Sequence, residues 1–271
     1  MKECMDIADY RLDGEKKKKL ERWRPNDDGG LERDAAEAAM PELQRRMLDL
    51  QERLYAGRSH SLLIVLQGRD ASGKDGTIKH VMGGFNPLGT RVHAFKAPNE
   101  LERAHDFLWR IHHNVPEAGH VAIFNRSHYE DILVPMVKGG IKGGLLERRH
   151  EHIRHFEALI ADAGVTIIKC FLHISRDEQR ERLQERLDNP EKRWKFDPAD
   201  LKARADWDLY GAAYEGIFRQ TATDRAPWYI IPADHKWFRN YLVANVVVDT
   251  LEQMKLEYPP PPEGLENLRI E

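Results

Sequence analysis

Two glycines and a lysine are spaced to bind phosphate in the stretch SLLIVLQGRDASGKDGTIKH, residues 61–80. Gly68 and Gly73 allow the backbone to turn tightly, and Lys74 supplies a mobile positive charge that can bridge phosphoryl oxygens. The apolar run at residues 62–66 predicts a buried parallel strand before the turn, and the residues after Lys74 predict a helix. A strand, a glycine turn and a helix start present backbone N–H groups and a helix dipole to an anion. The stretch therefore predicts a phosphate-binding loop from Gly68 to Lys74.

The loop departs from the usual pattern G-x-x-x-x-G-K-[ST], because Asp75 stands where a Ser or Thr hydroxyl would hold Mg²⁺. Thr77 comes two residues later, too far along the predicted helix to replace that hydroxyl directly. Asp70 lies inside the loop, where a carboxylate would repel phosphate unless a cation separates the two, and Mg²⁺ prefers oxygen ligands. We therefore expect a metal held by an acidic side chain, with Asp70 as the better candidate. A glycine turn that only joins a strand to a helix is the alternative interpretation.

A second polar turn, Asn125-Arg126-Ser127, follows an apolar run at residues 121–124 that predicts another buried strand. The end of such a strand is where phosphate-binding folds place an acidic metal ligand. Asn125 can form hydrogen bonds but carries no charge, whereas Arg126 can bind a phosphoryl group through two parallel hydrogen bonds. Arg126 is therefore predicted to contact a transferred phosphoryl group, and an ordinary surface ion pair is the alternative.

The segment at residues 175–197 carries many basic side chains that alternate with acidic ones. One interpretation is a salt-bridged helix in which Glu178 and Arg182 form an i,i+4 pair. The other is a lid, because a basic helix that closes over a phosphate site excludes water and stabilises transferring charge. The break at Pro190 would form the tip of this lid. The basic residues that we predict to face inward are Arg180, Arg186 and Lys195.

Apolar runs alternate with helical patterns along the chain, which predicts a parallel, doubly wound sheet in a three-layer α/β/α sandwich. Ligands of such sheets bind outside the carboxyl ends of the strands, where both polar turns and the basic segment fall. The five predicted strands lie at residues 62–66, 91–95, 121–124, 165–174 and 228–231. We divide the chain into an N-terminal arm (1–32), a single domain (33–258) and a C-terminal tail (259–271). The basic run at residues 16–19 indicates a solvated arm, with an extra polyanion contact as the alternative.

The composition of the 271-residue chain limits its partners and its surroundings. A net charge of −3 argues against a global basic field for nucleic acid, so a polyanion would need a local basic track. Cys4 and Cys170 are the only cysteines and show no paired spacing, so no disulfide framework is expected. The N-terminus lacks an apolar signal core and no run of 18 apolar residues occurs. We therefore expect a cytoplasmic protein without a membrane segment.

Four blocks resemble, in order, the signatures of the polyphosphate kinase type 2 family, and the resemblance covers roughly residues 35–256. It implies a P-loop kinase core with a helical lid and transfer of phosphoryl groups between inorganic polyphosphate and nucleotides with Mg²⁺, or with Mn²⁺ as a substitute. Many members carry Asp-Arg-Ser in the second block, and the form FNRSHYED found here resembles the branch that accepts both AMP and ADP (class III-like). The blocks are GRDASGKDGTIKH at 68–80, FNRSHYEDILV at 124–134, EKRWKF at 191–196 and APWYIIPADHKWFRN at 226–240.

The resemblance also implies roles for individual residues. Lys74 would bind phosphate, Asp70 would hold the metal and orient the acceptor, and Arg126 would contact the transferred group. The basic lid residues and Lys79 would line a polyphosphate track. The protein would form a homo-oligomer, a dimer or a tetramer. The remaining residues predicted to bind phosphate or nucleotide are Gly68, Arg69, Ala71, Ser72, Gly73, Asp75, Gly76, Thr77 and Asn125.

Two rival functions share these features. An ATP-dependent kinase of a small metabolite would have the same core but would be active without polyphosphate. A non-enzymatic nucleotide- or polyanion-binding protein would bind without turnover, and Lys74 with two nearby acidic residues argues against it. A phosphohistidine route is less favoured, because no histidine lies in the phosphate-binding loop and only His128 lies beside the second block.

Overall fold

The computed structural model describes residues 5–12, 19–265 and 269–270. Its centre is a six-stranded sheet, and five of its strands are those that the sequence predicts. Cys4 and the basic residues at 16–18 lie outside the described residues, so their predicted roles stay predictions. The strands are β1 (Arg11–Leu12), β2 (Ser61–Gly68), β3 (Thr90–Ala94), β4 (Val121–Asn125), β5 (Val165–His173) and β6 (Trp228–Pro232).

The strand order is β1-β6-β5-β2-β4-β3, and β2 to β6 run parallel to one another. All eight residues of β2 are buried, as expected for a central strand covered on both faces. Because β2 lies between β4 and β5, the chain segments that follow these three strands meet at one edge of the sheet. The phosphate-binding loop, the Asn125 turn and the basic segment are therefore brought together at the carboxyl ends of the strands.

Helix α1 (Arg33–Gly57) packs on α10 (Lys236–Gln253), which also contacts α2 (Lys74–His80). Helices α5 (Glu130–Val137), α6 (Gly144–Asp162) and α9 (Trp207–Thr221) pack on one another. The recurrence of Leu43, Met47, Leu50 and Leu54 every three or four residues predicts one apolar helix face, and α1 buries all four side chains. In the described part of the chain, no helix is both long and apolar enough to cross a membrane. The helices are α1 (Arg33–Gly57), α2 (Lys74–His80), α3 (Glu100–Arg103), α4 (Trp109–His112), α5 (Glu130–Val137), α6 (Gly144–Asp162), α7 (Arg176–Asp188), α8 (Pro198–Ala205), α9 (Trp207–Thr221) and α10 (Lys236–Gln253).

The sheet differs from the prediction in its number of strands. The additional strand β1 pairs antiparallel with β6, with Leu12 opposite Trp228. Tyr10, Leu12, Leu20 and Trp23 are buried, so the described part of the segment before residue 33 packs on the domain instead of forming a solvated arm. A two-residue strand carries no periodic signal, and its burial depends on a partner strand more than 200 residues away.

The spacing of apolar residues predicts a single helix at residues 100–114, capped by Asn99 and with Leu101 facing inward, and a second helix at residues 198–220. The structure interrupts both. The predicted helix at residues 100–114 divides into α3 and α4, and Leu101 is 60% exposed although we expected it to face inward. Asn99 caps α3 as predicted, through a hydrogen bond from the backbone N–H of Glu102 to its side chain (2.9 Å). The predicted helix at residues 198–220 divides at Asp206 into α8 and α9.

Candidate active site

Both glycines of the phosphate-binding loop are required by close contacts with its neighbours. A Cβ on Gly68 would lie 2.7 Å from Ser72 Oγ and 2.8 Å from the carbonyl oxygen of Leu172. Gly73 has a φ of 104°, in the left-handed region, and a Cβ there would lie 1.9 Å from the guanidinium of Arg239. Any side chain at either position would displace the loop or the groups packed behind it.

Lys74 is buried at the start of α2 and holds the loop from within. Its Nζ donates hydrogen bonds to the carbonyl oxygens of Gly68 (2.7 Å) and Arg69 (3.2 Å). Burial lowers the pKa of Lys74, and the nearby carboxylate of Asp70 opposes that shift. An ammonium group has three N–H donors. Two of those of Lys74 bond the loop, so the third can bond an oxygen in the cavity.

The predicted polar turn contacts the loop at two points. Arg126 Nη2 donates to Asp70 Oδ1 (2.9 Å), and Asn125 Nδ2 donates to Asp75 Oδ1 (2.7 Å). Arg126 has a left-handed φ of 63°, and its backbone N–H donates to the carbonyl oxygen of Leu66 (3.0 Å), which fixes the turn against the end of β2. The ends of β2 and β4 therefore bring together the two acidic and two polar or basic side chains that the sequence singles out.

Glu130 adds a third carboxylate to this group. It begins α5, and burial raises its pKa while Arg126 and Lys74 oppose that shift. Although burial works against it, Glu130 and Asp70 raise the pKa of Arg126. The site therefore holds alternating cations and carboxylates, an arrangement whose internal charges are largely balanced before a substrate enters.

The loop opens into a cavity of about 1180 Å³ whose walls carry more basic than acidic side chains. Eleven Lys and Arg residues line it against seven Asp and Glu residues, whereas the whole chain has a net charge of −3. Among the ion pairs of the described residues, none includes the four lysines Lys79, Lys96, Lys195 and Lys236, although Lys195 lies over the Trp194 ring. This is the local basic track that a polyanion would need. The predicted site residues that line the cavity are Asp70, Ala71, Gly73, Lys74, Asp75, Gly76, Lys79, Asn125, Arg126, Arg186 and Lys195.

Two other predicted residues point elsewhere. Arg180 is exposed and lines a separate cavity of about 780 Å³ on the outer side of α7. The Arg69 guanidinium lies 3.7 Å from the ring centroid of Trp207 and donates to the Trp207 carbonyl oxygen (2.9 Å). Burial lowers the pKa of Arg69 to about 10. Arg69 therefore fastens α9 to the loop instead of facing the cavity.

Three more predicted residues shape the loop without lining the cavity. Thr77 Oγ1 donates to the carbonyl oxygen of Gly73 (3.2 Å), so its hydroxyl serves α2. Ser72 is buried, and its Oγ has no hydrogen-bond partner in the part of the chain that the structure describes. Gly68 packs against Ser72, as described above.

Sequence reasoning missed several residues of the site. Asp200 in α8 lines the cavity, where burial and then the Asp70 carboxylate raise its pKa to about 6, and Arg186 Nη1 contacts its Oδ2 (3.2 Å). Trp194 lines the cavity with 78% of its surface exposed. The second and fourth resembling blocks contain further missed residues, but no local pattern indicates which way their side chains point. These are Glu130, Lys236 and Arg239.

The donor set fits Mg²⁺ better than a metal that needs an all-protein cage. Within residues 5–12, 19–265 and 269–270, no group of three or more His, Cys, Asp or Glu side chains could hold a metal ion. Mg²⁺ needs only one or two carboxylates when substrate phosphates and water supply the other oxygens. Asp70 and Asp75 both line the cavity beside Lys74 and can supply them.

Comparison with known proteins agrees with this geometry. Residues 30–259 match the family model described as Polyphosphate kinase 2 (PPK2). The chain is 51% identical over 264 residues to a protein of Meiothermus ruber named AMP/ADP-polyphosphate phosphotransferase. The match covers 97% of this chain and 99% of that protein. It is 42% identical over 226 residues to the ADP-polyphosphate phosphotransferase of Rhodopseudomonas palustris, covering 79% of this chain and 78% of the relative.

A solved structure has the same fold over nearly its whole length. The crystal structure of Polyphosphate Kinase 2 from Arthrobacter aurescens TC1 matches with a TM-score of 0.94 and 38% sequence identity, and the match covers 97% of this chain and 95% of that chain. The sheet and the helices of this chain therefore have the fold of that solved structure. The chain belongs to the polyphosphate kinase 2 family.

Proposed function

We propose that the chain transfers phosphoryl groups from inorganic polyphosphate to AMP and to ADP, giving ADP and ATP in a reversible reaction. The observation that carries this proposal is a phosphate-binding loop, with Lys74 buried in it, at the base of a cavity with eleven basic residues. A long polyanion needs cations beyond those that surround one phosphate group, and this cavity supplies them. The relative named AMP/ADP-polyphosphate phosphotransferase supports both acceptors.

The transfer needs positioning and charge more than covalent chemistry from the protein. Lys74 and the loop N–H groups hold a phosphoryl group at the start of α2, where the helix dipole favours negative charge. Arg126 lies beside them and donates to Asp70. When a phosphoryl group replaces Asp70 as its partner, the Arg126 guanidinium can donate two parallel hydrogen bonds to that group. These fixed donors stabilise the charge that spreads over the equatorial oxygens during in-line transfer.

Asp70 is the residue that we assign to the metal and to the acceptor. Asp70 would hold Mg²⁺, or Mn²⁺ in its place, and the bound ion would supply positive charge that neutralises phosphate oxygens. Asp70 is 25% exposed in its side chain and faces the cavity, so one carboxylate oxygen is open to a ligand while the other accepts from Arg126. Asp75 also lines the cavity and is a second carboxylate that could bind the metal.

The nucleotide acceptor binds on the side of the cavity that the basic segment at residues 175–197 forms. Trp194 offers an exposed flat ring on which a nucleobase can stack, with Lys192 and Lys195 on either side in sequence to contact phosphates. Arg186, paired with Asp200, and the track residue Lys79 complete the basic surface. A homo-oligomer and a cytoplasmic location stay predictions.

The test is nucleotide production with polyphosphate as the only phosphoryl donor. Purified protein, Mg²⁺ and long-chain polyphosphate are incubated with AMP or with ADP, without ATP, beside a Lys74→Ala control. We expect ADP and ATP from AMP, ATP from ADP, and neither in the control. ATP from ADP alone would remove AMP from the proposal. Absence of product, with activity toward a metabolite when ATP is supplied, would favour the ATP-dependent kinase instead.

A further inference from the structure

Two buried side chains of α7 bind the backbone of the phosphate-binding loop. Gln179 Nε2 donates to the carbonyl oxygen of Asp70 (2.9 Å). One turn further along the helix, Arg182 Nη1 donates to the carbonyl oxygens of Ala71 (3.1 Å) and Ser72 (3.2 Å). Three consecutive loop carbonyls are thus held by one face of a helix that lies more than 100 residues away in sequence.

Arg182 also ties the loop to a second strand end. Its Nη2 donates to the carbonyl oxygens of Ala233 (2.7 Å) and Asp234 (2.9 Å), which follow β6. Its Nε donates to Glu178 Oε1 (2.7 Å), so each of its three nitrogens has a partner. Only 7% of Arg182 is exposed. A planar guanidinium can bind this many acceptors in fixed geometry, and a lysine ammonium cannot reach all of them.

The loop needs such an outside partner. Ala71 has a φ of 62°, a left-handed conformation that is unfavourable for a non-glycine residue and persists only where neighbouring groups hold it. Buried carbonyl groups also need donors, and the loop's own N–H groups are required for a bound anion. The α7 side chains satisfy the carbonyls without using those N–H groups. Arg239 Nη1 adds a weaker contact to the Ser72 carbonyl oxygen (3.4 Å).

We propose that Gln179 and Arg182 are positioning residues that set the phosphate affinity of the loop from α7. By holding the carbonyls of residues 70–72, they keep the loop in the conformation that presents its N–H groups and Lys74 to an anion. The first two turns of α7 are then a fixed part of the loop's support, and any closing movement of the basic segment begins after Arg182. The inference deepens the proposed function and rests on it where turnover is concerned, but the binding of phosphate can be tested apart from turnover.

The variants separate positioning from general stability. Gln179→Met keeps the length of the side chain without its donor, and Arg182→Lys keeps the charge without the planar set of donors. Gln184→Met is the matched control, because Gln184 is exposed on the same helix and its side chain bonds only Asp188 among the residues that the structure describes. Leu183→Ala is the second control, because Leu183 is buried in α7 and its apolar side chain donates no hydrogen bond, so the substitution lowers stability without removing a hydrogen bond to the loop.

Each variant is measured for binding of inorganic tripolyphosphate by calorimetry in the presence of Mg²⁺, for its melting temperature, and for the kcat and KM of polyphosphate turnover. We expect Gln179→Met to weaken tripolyphosphate binding about fivefold and Arg182→Lys at least tenfold, with a matching rise in the KM for polyphosphate. Gln184→Met and Leu183→Ala should bind tripolyphosphate like the unsubstituted protein, even though Leu183→Ala melts at a lower temperature.

Unchanged tripolyphosphate binding in both Gln179→Met and Arg182→Lys would overturn the proposal. It would equally be overturned if Leu183→Ala weakened binding as much, because loss of stability alone would then account for the effect. Weaker tripolyphosphate binding in the two variants would support the positioning role even if the unsubstituted protein showed no polyphosphate turnover. That absence of turnover would contradict the proposed function. The two claims are therefore tested separately.

Discussion

Asp70 and Asp75 are two carboxylates of the same cavity with different partners. Asp70 accepts from Arg126, which we expect to exchange this bond for one with a phosphoryl group, whereas Asp75 accepts from the neutral Asn125. Asp70 lies inside the loop and Asp75 on the first turn of α2. We therefore propose the direct chemical role for Asp70 and a supporting role for Asp75.

Replacing each carboxylate by its amide tests this assignment. We expect Asp70→Asn to lower kcat/KM for nucleotide phosphorylation at least 100-fold, since the variant loses a negatively charged oxygen ligand but keeps the shape of the side chain. Asp75→Asn should cost about tenfold or less. Steady-state rates over a range of Mg²⁺ concentrations give both values. Equal losses in the two variants, or a larger loss in Asp75→Asn, would contradict the assignment.

Asn125 is the residue at which this chain differs from many members of the family that it resembles. An aspartate here would face the Asp75 carboxylate in place of the present hydrogen bond of 2.7 Å, and the two charges would repel unless a cation lay between them. We expect Asn125→Asp to change the ratio of the rates with AMP and ADP by about fivefold or more. The rates are compared at saturating polyphosphate, and a ratio equal to that of the unsubstituted protein would contradict the role given to Asn125.

At the scale of elements, a buried polar cluster joins one helical layer to the sheet. Lys169 in β5 donates to Glu157 in α6 (2.8 Å), to the hydroxyl of Tyr129 (2.9 Å) and to the carbonyl oxygen of Thr221 at the end of α9 (2.9 Å). Glu157 also accepts from the Tyr129 hydroxyl (2.7 Å). Tyr129 lies three residues after Arg126, so this cluster fixes the residues that follow the polar turn at 125–127.

Removal of the cation should destabilise the fold strongly. Lys169→Met leaves Glu157 as a buried charge without its cationic partner, for which the expected cost is about 3 kcal/mol of unfolding free energy. Lys202→Met, at an exposed position of α8, is the control and should change stability by less than about 0.5 kcal/mol. Urea unfolding gives both values. Adding Glu157→Gln to Lys169→Met should restore part of the loss, and a single variant as stable as the control would contradict this account.

The elements also show what the sequence could predict and what it could not. The predicted strands match the five parallel strands to within two residues at each end. Apolar runs mark β2, β4, β5 and β6 because these strands are largely buried. Helix α7 has charged residues on every side, so no periodicity indicates that Arg182 is buried and Arg180 exposed. Arg69 likewise packs on Trp207, the first residue of α9 after its break from α8, and no local pattern reveals that contact. Loop chemistry is predictable from spacing, but the supports of the loop come from distant segments.

At the scale of the whole molecule, His173 couples folding to pH. It ends β5, and burial and then the Arg69 guanidinium lower its pKa to about 4. An unfolded histidine has a pKa of about 6.5, so the unfolded chain binds more protons between pH 6.5 and 4. The stability that a neutral His173 contributes is therefore fully present above pH 6.5 and is lost as the pH falls toward 4.

Replacement of His173 by a residue that does not titrate should remove this part of the acid sensitivity. Between pH 7 and pH 5, we expect the unsubstituted protein to lose about 1 to 2 kcal/mol more stability than His173→Gln. Urea unfolding at several pH values measures the difference. His105, exposed and hydrogen-bonded only to the Leu101 carbonyl oxygen in the described chain, provides the control His105→Gln, which should keep the pH dependence. Parallel pH profiles for all three proteins would contradict the role of His173.

The most direct measurement follows the transferred phosphorus atom itself. Polyphosphate labelled with ³²P is incubated with unlabelled AMP, Mg²⁺ and the protein, and the ADP formed is separated and its two phosphates are assayed individually. The account predicts that the label enters only the β-phosphate of ADP, at a rate that falls at least 100-fold in Lys74→Ala, whose loop lacks the buried ammonium. ADP that forms without label, or labelled ADP that forms equally fast in Lys74→Ala, would contradict direct phosphoryl transfer from polyphosphate at this loop.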